Sequence, residues 1–246
     1  MEREEYQRLF TTDDKLWWFR GRWGILEYAL RSYRKSTGAS PVILDAGCGT
    51  GANLLQLAGI GRGVGIDLSA DALNLTARRH PERLVRGSVL VLPFQDDAFD
   101  VVISNDVLYH QWVTDDIAAL RELARVLKPG GMLLVHVAAM EIFRGSHDVV
   151  NLTRHRYTVC EMRDKLSAGG LQVQRVCYRN FLLSPVLLAR RFLHRAGGNS
   201  DSDLSVPVAW LNNTLTGILK LENVLLRYTN LPFGSSVFAI AHKPKN

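Results

Sequence analysis

Cysteine is scarce in this chain, three residues in 246, and Cys48, Cys160 and Cys177 include no CxxC pair. A zinc ribbon, a dithiol redox centre and a disulfide framework are therefore not encoded, and free thiols are expected. Long apolar runs are missing too. No stretch approaches the eighteen residues of a membrane span, and the opening MEREEYQRLF is charged where a secretory leader would be apolar. These absences predict a cytoplasmic protein. Acidic residues run short in the C-terminal part: residues 1–150 carry 17 basic and 19 acidic side chains, residues 151–246 carry 13 and 5. Clustered, that excess would face an anionic substrate, a phospholipid surface or a nucleic acid; scattered, it would only be solvated.

What is present suits one α/β domain of ordinary size with a substantial insertion, 47% of its residues being hydrophobic. From residue 40 onward short apolar strands alternate with helical periodicity: PVILDAG, RGVGIDLS, ERLVRGSV, FDVVISND and GGMLLVHVA are read as strands, the rhythm of a parallel sheet covered on both faces. TDDIAALRELARVL repeats Ile117, Leu120, Leu123 or Ala124, and Leu127 at helical spacing and is expected to stop at KPGG. RYTVCEMRDKLSAGG opens with a capping box from Thr158 to Glu161. LQVQRVCYR and SSVFAIAHK supply the last two strands. Residues 180–232 separate them, with the basic helix PVLLARRFLHR, a loose loop at AGGNSDSD, and a helix expected to turn Leu211, Leu215, Ile218, Leu219, Leu225 and Leu226 to one face.

The first strand runs into Asp45, Gly47, Gly49 and Gly51, a DxGxGxG loop. Glycines so closely spaced mark backbone that needs positive φ or must lie bare against a ligand. The GxGxxG loop of dinucleotide binders would put glycine at position 52, where this chain has Ala, so NAD is not expected. Asp45 can anchor the loop or a cationic ligand group. Asp67, at the tip of the second strand, is placed to accept from both hydroxyls of a ribose, while Ser69 can cap the helix that follows. Ser88 and Val89 after the third strand would flank an adenine, and Asn105 after the fourth would lie near the ligand's reactive end. Cys48, between two glycines, reads as a small packing residue.

Five segments in order, LDAGCGTG, GIDLS, LPFQDDAFDVV, SNDVLYH and LARVLKPGG, resemble class I S-adenosylmethionine-dependent methyltransferases, most of all the subgroup with the quinone-biosynthesis enzymes. The resemblance covers residues 40–140. LWWFRGRW and LPFGSS are similar to a bacterial branch of that superfamily. It implies a doubly wound, seven-stranded, mostly parallel Rossmann-like sheet with an antiparallel last pair, and S-adenosylmethionine as cofactor. Asp45, Gly47, Gly49 and Gly51 would hold the methionine moiety, Asp67 the ribose, and Ser88 with Val89 the adenine, with Leu68 also on the cofactor; many members have Asp where this chain has Ser88. Four units follow: an N-terminal helical lid (1–38), the cofactor-binding core (39–179), a helical insertion forming an acceptor lid (180–232) and the final strand (233–246).

Transfer to a hydroxyl gains from a general base. His110, past the fourth strand, and His155, in LTRHRYT, are the candidates, with Tyr109 and Tyr157 lining an acceptor pocket. Trp18 and its aromatic neighbours would cover the sulfonium, and Arg20 or Arg22 would pair with the ligand's carboxylate. No metal is expected, because a Glu-x-x-Glu-His pattern of some relatives reads Asp106, Tyr109, His110 here. The Asn/Asp-Pro-Pro-Tyr motif of amino-group methyltransferases is also missing, so no nucleic acid is expected. The expected reaction is O-methylation of a small-molecule, natural-product or glycan- or lipid-linked acceptor. The alternatives are C-methylation of a quinone-like ring and a silent cofactor-binding partner subunit. Residues 180–232 leave peripheral membrane contact open, and the oligomeric state is unspecified.

Overall fold

The structure, a computed structural model, describes residues 3–80, 83–189 and 207–245. Its seven strands are β1 (Val42–Ala46), β2 (Arg62–Asp67), β3 (Leu84–Arg86), β4 (Phe99–Asn105), β5 (Leu127–Ala138), β6 (Gln172–Arg179) and β7 (Ser236–His242). They form one sheet in the order β3-β2-β1-β4-β5-β7-β6. The first five pair in parallel, and β7 is antiparallel to both β5 and β6. The strand order reverses at β1, so the carboxyl ends of β1, β2 and β4 open the crevice in which such sheets bind ligands.

The sheet is buried on both faces, which is why its strands read as near-continuous apolar runs. Leu44, Val102, Leu133 and Val135 face a core completed by α5 (Asp116–Val126) and α7 (Val159–Ala168). Their neighbours Ile43, Val101, Ile103 and Leu134 face Ile25, Leu26 and Leu30 of α2 (Trp17–Thr37) and Leu54 and Leu57 of α3 (Ala52–Leu57). Arg3–Thr12 forms α1, Ala70–Arg79 α4, Ser146–Val150 α6 and Ala209–Leu225 α9; a short helix over 184–189, α8, precedes the undescribed stretch. Ser69 caps α4 by accepting from the Ala72 N–H at 3.3 Å. α5 ends at Val126, slightly earlier than its periodicity suggests. Leu127 is already extended and paired with Phe99, and Pro129 and the two glycines lie within β5, where Gly130 N–H donates to the Lys243 carbonyl. Proline disfavours helical backbone in the residue before it, which accounts for the early stop.

The insertion differs most from expectation. The side of α9 that packs inward carries Asn212, Thr216, Glu222 and Asn223 beside Leu219 and Leu226 of the leucine face; Leu211, Leu215 and Ile218 are half-buried and Leu225 is exposed. Polar groups can be buried because each finds a partner. Asn212 accepts from Trp17 N–H at 3.0 Å and donates to the Lys15 carbonyl at 2.8 Å. Asn223 donates to the Gly21 carbonyl at 2.8 Å and accepts from Arg179 at 2.9 Å. Glu222 accepts from Asn180 N–H and Leu182 N–H at 2.6 and 3.0 Å. α9 therefore seats on the start of α2. Arg190, Arg191, Arg195 and Phe192 of the basic helix, and the AGGNSDSD loop, lie outside the described residues. Among the described residues, no helix is long and apolar enough to cross a membrane.

Gly21 lets the two helices approach, since a Cβ there would run into the Leu219 side chain, whereas Gly217 on the outer side of α9 has open space around it. Gly21→Ala is expected to cost about 1–3 kcal/mol by overpacking despite alanine's better helix propensity. Gly217→Ala should gain about 0.5–1 kcal/mol. Urea midpoints of the two variants against wild type check the pair.

Candidate active site

A cavity of about 410 Å³ opens at the carboxyl ends of β1, β2 and β4, within the range of small-ligand sites. Its floor is the loop after β1. Gly47, Gly49 and Gly51 all have positive φ, but for different reasons. A Cβ on Gly47 would strike Val107, and one on Gly51 would lie 2.6 Å from Thr76 Cγ2; only at Gly49 does it meet nothing within 4 Å. Gly49 is the bare position on the cavity wall. Asp67 holds it there: its Oδ2 accepts from Gly49 N–H and its Oδ1 from Ser69 N–H, each at 2.9 Å. Every carboxylate oxygen keeps a further lone pair for a ligand.

The sheet order places Asp67, Leu68, Ser88 and Val89, from the tips of β2 and β3, on one flank of this floor. Asn105, Tyr109 and His110, from the end of β4, lie on the other. Asn105 is buried, yet neither its Nδ2 nor its Oδ1 has a partner, and the His110 Nδ1 is likewise buried and unpaired. Unsatisfied groups at a cavity wall are the polar positions a ligand completes. Burial lowers the His110 pKa from its ordinary value, opposed by the Asp106 charge. Burial also raises the Tyr109 phenol well above its usual range, so it stays protonated.

α2 closes the cavity with Trp18, Phe19 and Arg22. Arg22 forms a tight ion pair with Asp106, whose other oxygen lies 3.2 Å from His136 Nδ1. Burial would raise the Asp106 pKa, but the neighbouring His136 and Arg22 bring it well below the usual carboxylate range. Arg22 thus arrives already partnered. α1 contributes Glu5, Tyr6, Leu9 and, just past its end, Asp13. Asp13 accepts from the Thr50 hydroxyl and is gripped by Arg79 of α4 through contacts of 2.9 Å, which staples α1 to the glycine loop. Burial, with the Asp67 charge, pushes the Tyr6 hydroxyl up to about 12. Of the four carboxylates facing the cavity, Asp13 is paired with Arg79 and Asp106 with Arg22, so Glu5 and Asp67 make the surplus, a balance that favours a cation inside it.

Five residues singled out in the sequence do not reach this wall. Asp45 sits behind it, fully buried, 3.3 Å from Asn53 Nδ2. Gly51 packs on Thr76. Arg20 points outward, donating to the Asp14 carbonyl, because two helical positions put it on the opposite side of α2 from Arg22. His155 bonds Glu161 at 2.8 Å, and Tyr157 is buried with its hydroxyl donating to Asp116 at 2.6 Å. Glu161 is thereby drawn to His155, while Thr158 still caps α7 by accepting from Glu161 N–H. No described residue of 180–245 lines the cavity. Within the expected N-terminal lid, sequence reasoning did not single out Glu5, Tyr6, Leu9 or Asp13, and it missed His136 and the pairing of Asp106 with Arg22; a lone histidine inside the apolar strand LLVHVA was the available signal for His136. Cys48 lines the wall with burial raising its thiol pKa, which makes it inert packing.

Asp45 carries a pH signature. Burial raises its pKa from 3.8 to about 7, so the folded state holds a proton that the unfolded chain has lost between those values. Stability therefore falls as pH rises from about 4 to 7 and levels above the folded pKa. Asp45→Asn should gain on wild type by about 2–3 kcal/mol more at pH 8 than at pH 5 in denaturant titrations.

Residues 44–135 match the family model described as a methyltransferase domain. Over 113 residues the chain is 36% identical to a Homo sapiens protein described as a probable tRNA methyltransferase 9B, covering 46% of this chain and 24% of that one. Over 109 residues it is 39% identical to a Staphylococcus aureus demethylmenaquinone methyltransferase, covering 41% and 43%. The match thus spans less than half the length of either relative. Among solved structures, a chain from a Haloferax volcanii complex of the Trm112 methyltransferase activator with a methyltransferase superposes with a TM-score of 0.60 at 23% identity, covering 99% of this chain and 98% of that one.

Proposed function

From a chain whose residues 44–135 match a methyltransferase-domain model, we propose an S-adenosylmethionine-dependent methyltransferase that acts on a hydroxyl acceptor, with His110 as the general base. The observation that carries the cofactor assignment is the acid-lined cavity floored by Gly49, the one loop glycine whose Cβ would enter open space. The residues present fit the cofactor. Gly49 and the Asp67-tethered loop would hold the aminoacyl end, the free lone pairs of Asp67 the ribose hydroxyls, and Ser88 and Val89 the adenine. Asn105, both ends of its amide unpaired, would meet the reactive region. The surplus of carboxylates suits a ligand that carries a sulfonium and an ammonium group.

When bound, S-adenosylmethionine supplies a methyl group on a positively charged sulfur, so the acceptor needs alignment more than activation. This chain's own groups provide that alignment. Trp18, Phe19 and Trp112 at the rim exclude water. His110, neutral near pH 7 because burial lowers its pKa, takes the acceptor's hydroxyl proton as the oxygen gains its new carbon bond. The protonated Tyr109 phenol can donate to the same oxygen. Arg22, held by Asp106, fixes α2 over the cavity. Small-molecule, glycan-linked and lipid-linked hydroxyls all fit this chemistry. The likeness to a tRNA methyltransferase makes RNA the acceptor class that an assay must include alongside them.

Two outcomes test the reading. Calorimetry should show binding of S-adenosylmethionine and its demethylated product but not NAD. Gly49→Ala should remove that binding while costing about 1–2 kcal/mol of stability for the left-handed backbone; retained affinity would take Gly49 out of the site. Labelled-methyl assays against hydroxylated small molecules, a lipid extract, quinone precursors and tRNA should give turnover that His110→Ala lowers about a hundredfold or more, with cofactor affinity intact. The pH dependence of kcat/KM should have its acidic midpoint below 6.5, the ordinary histidine value, and lose it in His110→Gln. His155→Ala, outside the cavity, is the matched control and should leave the rate within about fivefold of wild type.

A further inference from the structure

The outer side of α9, with the turn after it, exposes four large apolar side chains, with Thr214 and Gly217 on the same line between them. Trp210, Leu221 and Val224 of the helix and Tyr228 in the turn after it are 70, 56, 43 and 85% exposed. At 100° per residue they fall within about 40° of one line, opposite the face bearing Asn212, Thr216, Leu219 and Asn223. The line is about 27 Å long at 1.5 Å per residue, with an indole at one end and a phenol at the other. Its charges are of one sign. Lys220 is exposed beside the stripe, the helix's single acid, Glu222, is buried under it, and Arg227 lies near the C-terminal end, stacked over Tyr28 at 4.3 Å.

We propose that this stripe of α9 docks the protein on an anionic lipid surface, with Trp210 and Tyr228 at the headgroup level, Leu221 and Val224 in the acyl boundary, and Lys220 and Arg227 on the lipid phosphates. Aromatic side chains with one apolar and one polar edge favour that boundary, and cations beside an apolar helix face are what negatively charged lipid rewards. A second copy fits less well. A stable protein interface takes about 20–30 residues a side, and four side chains on one helix fall far short of that. The seating of α9 adds a functional consequence: Asn212 holds Trp17, and the next residue, Trp18, lines the cavity. Lipid contact on the outer side of α9 is thus backed by the side that seats on the α2 segment walling the site, a placement suited to an acceptor carried in a membrane. The docking does not depend on which acceptor is methylated, or on methylation at all.

Flotation of the whole chain with vesicles of phosphatidylcholine, or of phosphatidylcholine mixed with phosphatidylglycerol, tests the proposal. Wild type should float with the mixed vesicles, bind neutral ones at least about tenfold more weakly, and lose binding as salt is raised. Leu221→Ser combined with Tyr228→Ser should abolish flotation, and Lys220→Glu should weaken it about tenfold. Melting temperature and S-adenosylmethionine calorimetry should stay unchanged, since these side chains touch neither core nor cavity. Trp210→Ser is the second variant should the double substitution fail to fold. Absence of wild-type flotation on mixed vesicles overturns the proposal, as does binding undisturbed by the folded variants. A wild-type dimer in sedimentation that the same substitutions split also overturns it.

Discussion

Everything at this site hangs on the backbone between Gly47 and Gly51, which must leave β1, reverse into α3 and keep one position bare. The loop is held from three directions. The Ile66 carbonyl accepts from both Gly47 N–H and Cys48 N–H, at 2.8 and 3.0 Å. Thr76 of α4 donates its hydroxyl to the Gly49 carbonyl at 2.6 Å. Asp13 takes the Thr50 hydroxyl. Because Arg79 grips the same carboxylate, α1 and α4 inherit their positions from the loop they restrain. A cradle fixed in this way loses little entropy when a ligand enters, which is where preorganised sites gain affinity.

The second constraint is charge buried without water. The Arg22–Asp106 pair, His136 behind it, and Arg179, whose pKa burial lowers to about 10, lie between the sheet's carboxyl edge and α2. Such groups add little net stability, because desolvation offsets most of their attraction. Their contribution is orientation. Arg179 donates to the Gly21 carbonyl and to Asn223, so the guanidinium of β6 fixes α2 and α9 together, and α2 in turn sets Arg22 on Asp106.

The strands and the cavity floor were legible in the sequence because both come from local rules. Continuous apolar runs need burial on two faces, and alternate glycines need left-handed backbone. Elements placed by tertiary contact were not legible. A carboxylate one pleat back from the strand tip, Asp45, cannot be told from one that faces ligand without the loop's own geometry. Arg20 and Arg22 are equally basic, and only the docked rotation of α2 separates them. The seating of α9 was hidden for a related reason: periodicity finds an apolar side but does not say which residues point inward, and here asparagine, threonine and glutamate point inward beside Leu219 and Leu226, with a partner for each polar group. The cavity contribution of α1 left no pattern at all, since Glu5, Tyr6 and Asp13 are ordinary in a charged, exposed-looking segment.

The polar underside of α9 also separates two jobs that hydrophobic docking would merge. A helix held by leucines could slide or roll by a ridge and still bury similar area, whereas amide and carboxylate contacts to Trp17 N–H, the Gly21 carbonyl, Asn180 N–H and Leu182 N–H tolerate one seat only. The outward residues are then released from any duty to the fold. Descendants of this chain could rewrite positions 210, 214, 217, 221 and 224 for a new surface or partner while the fastening underneath, and the wall of the cavity it adjoins, stays as it is.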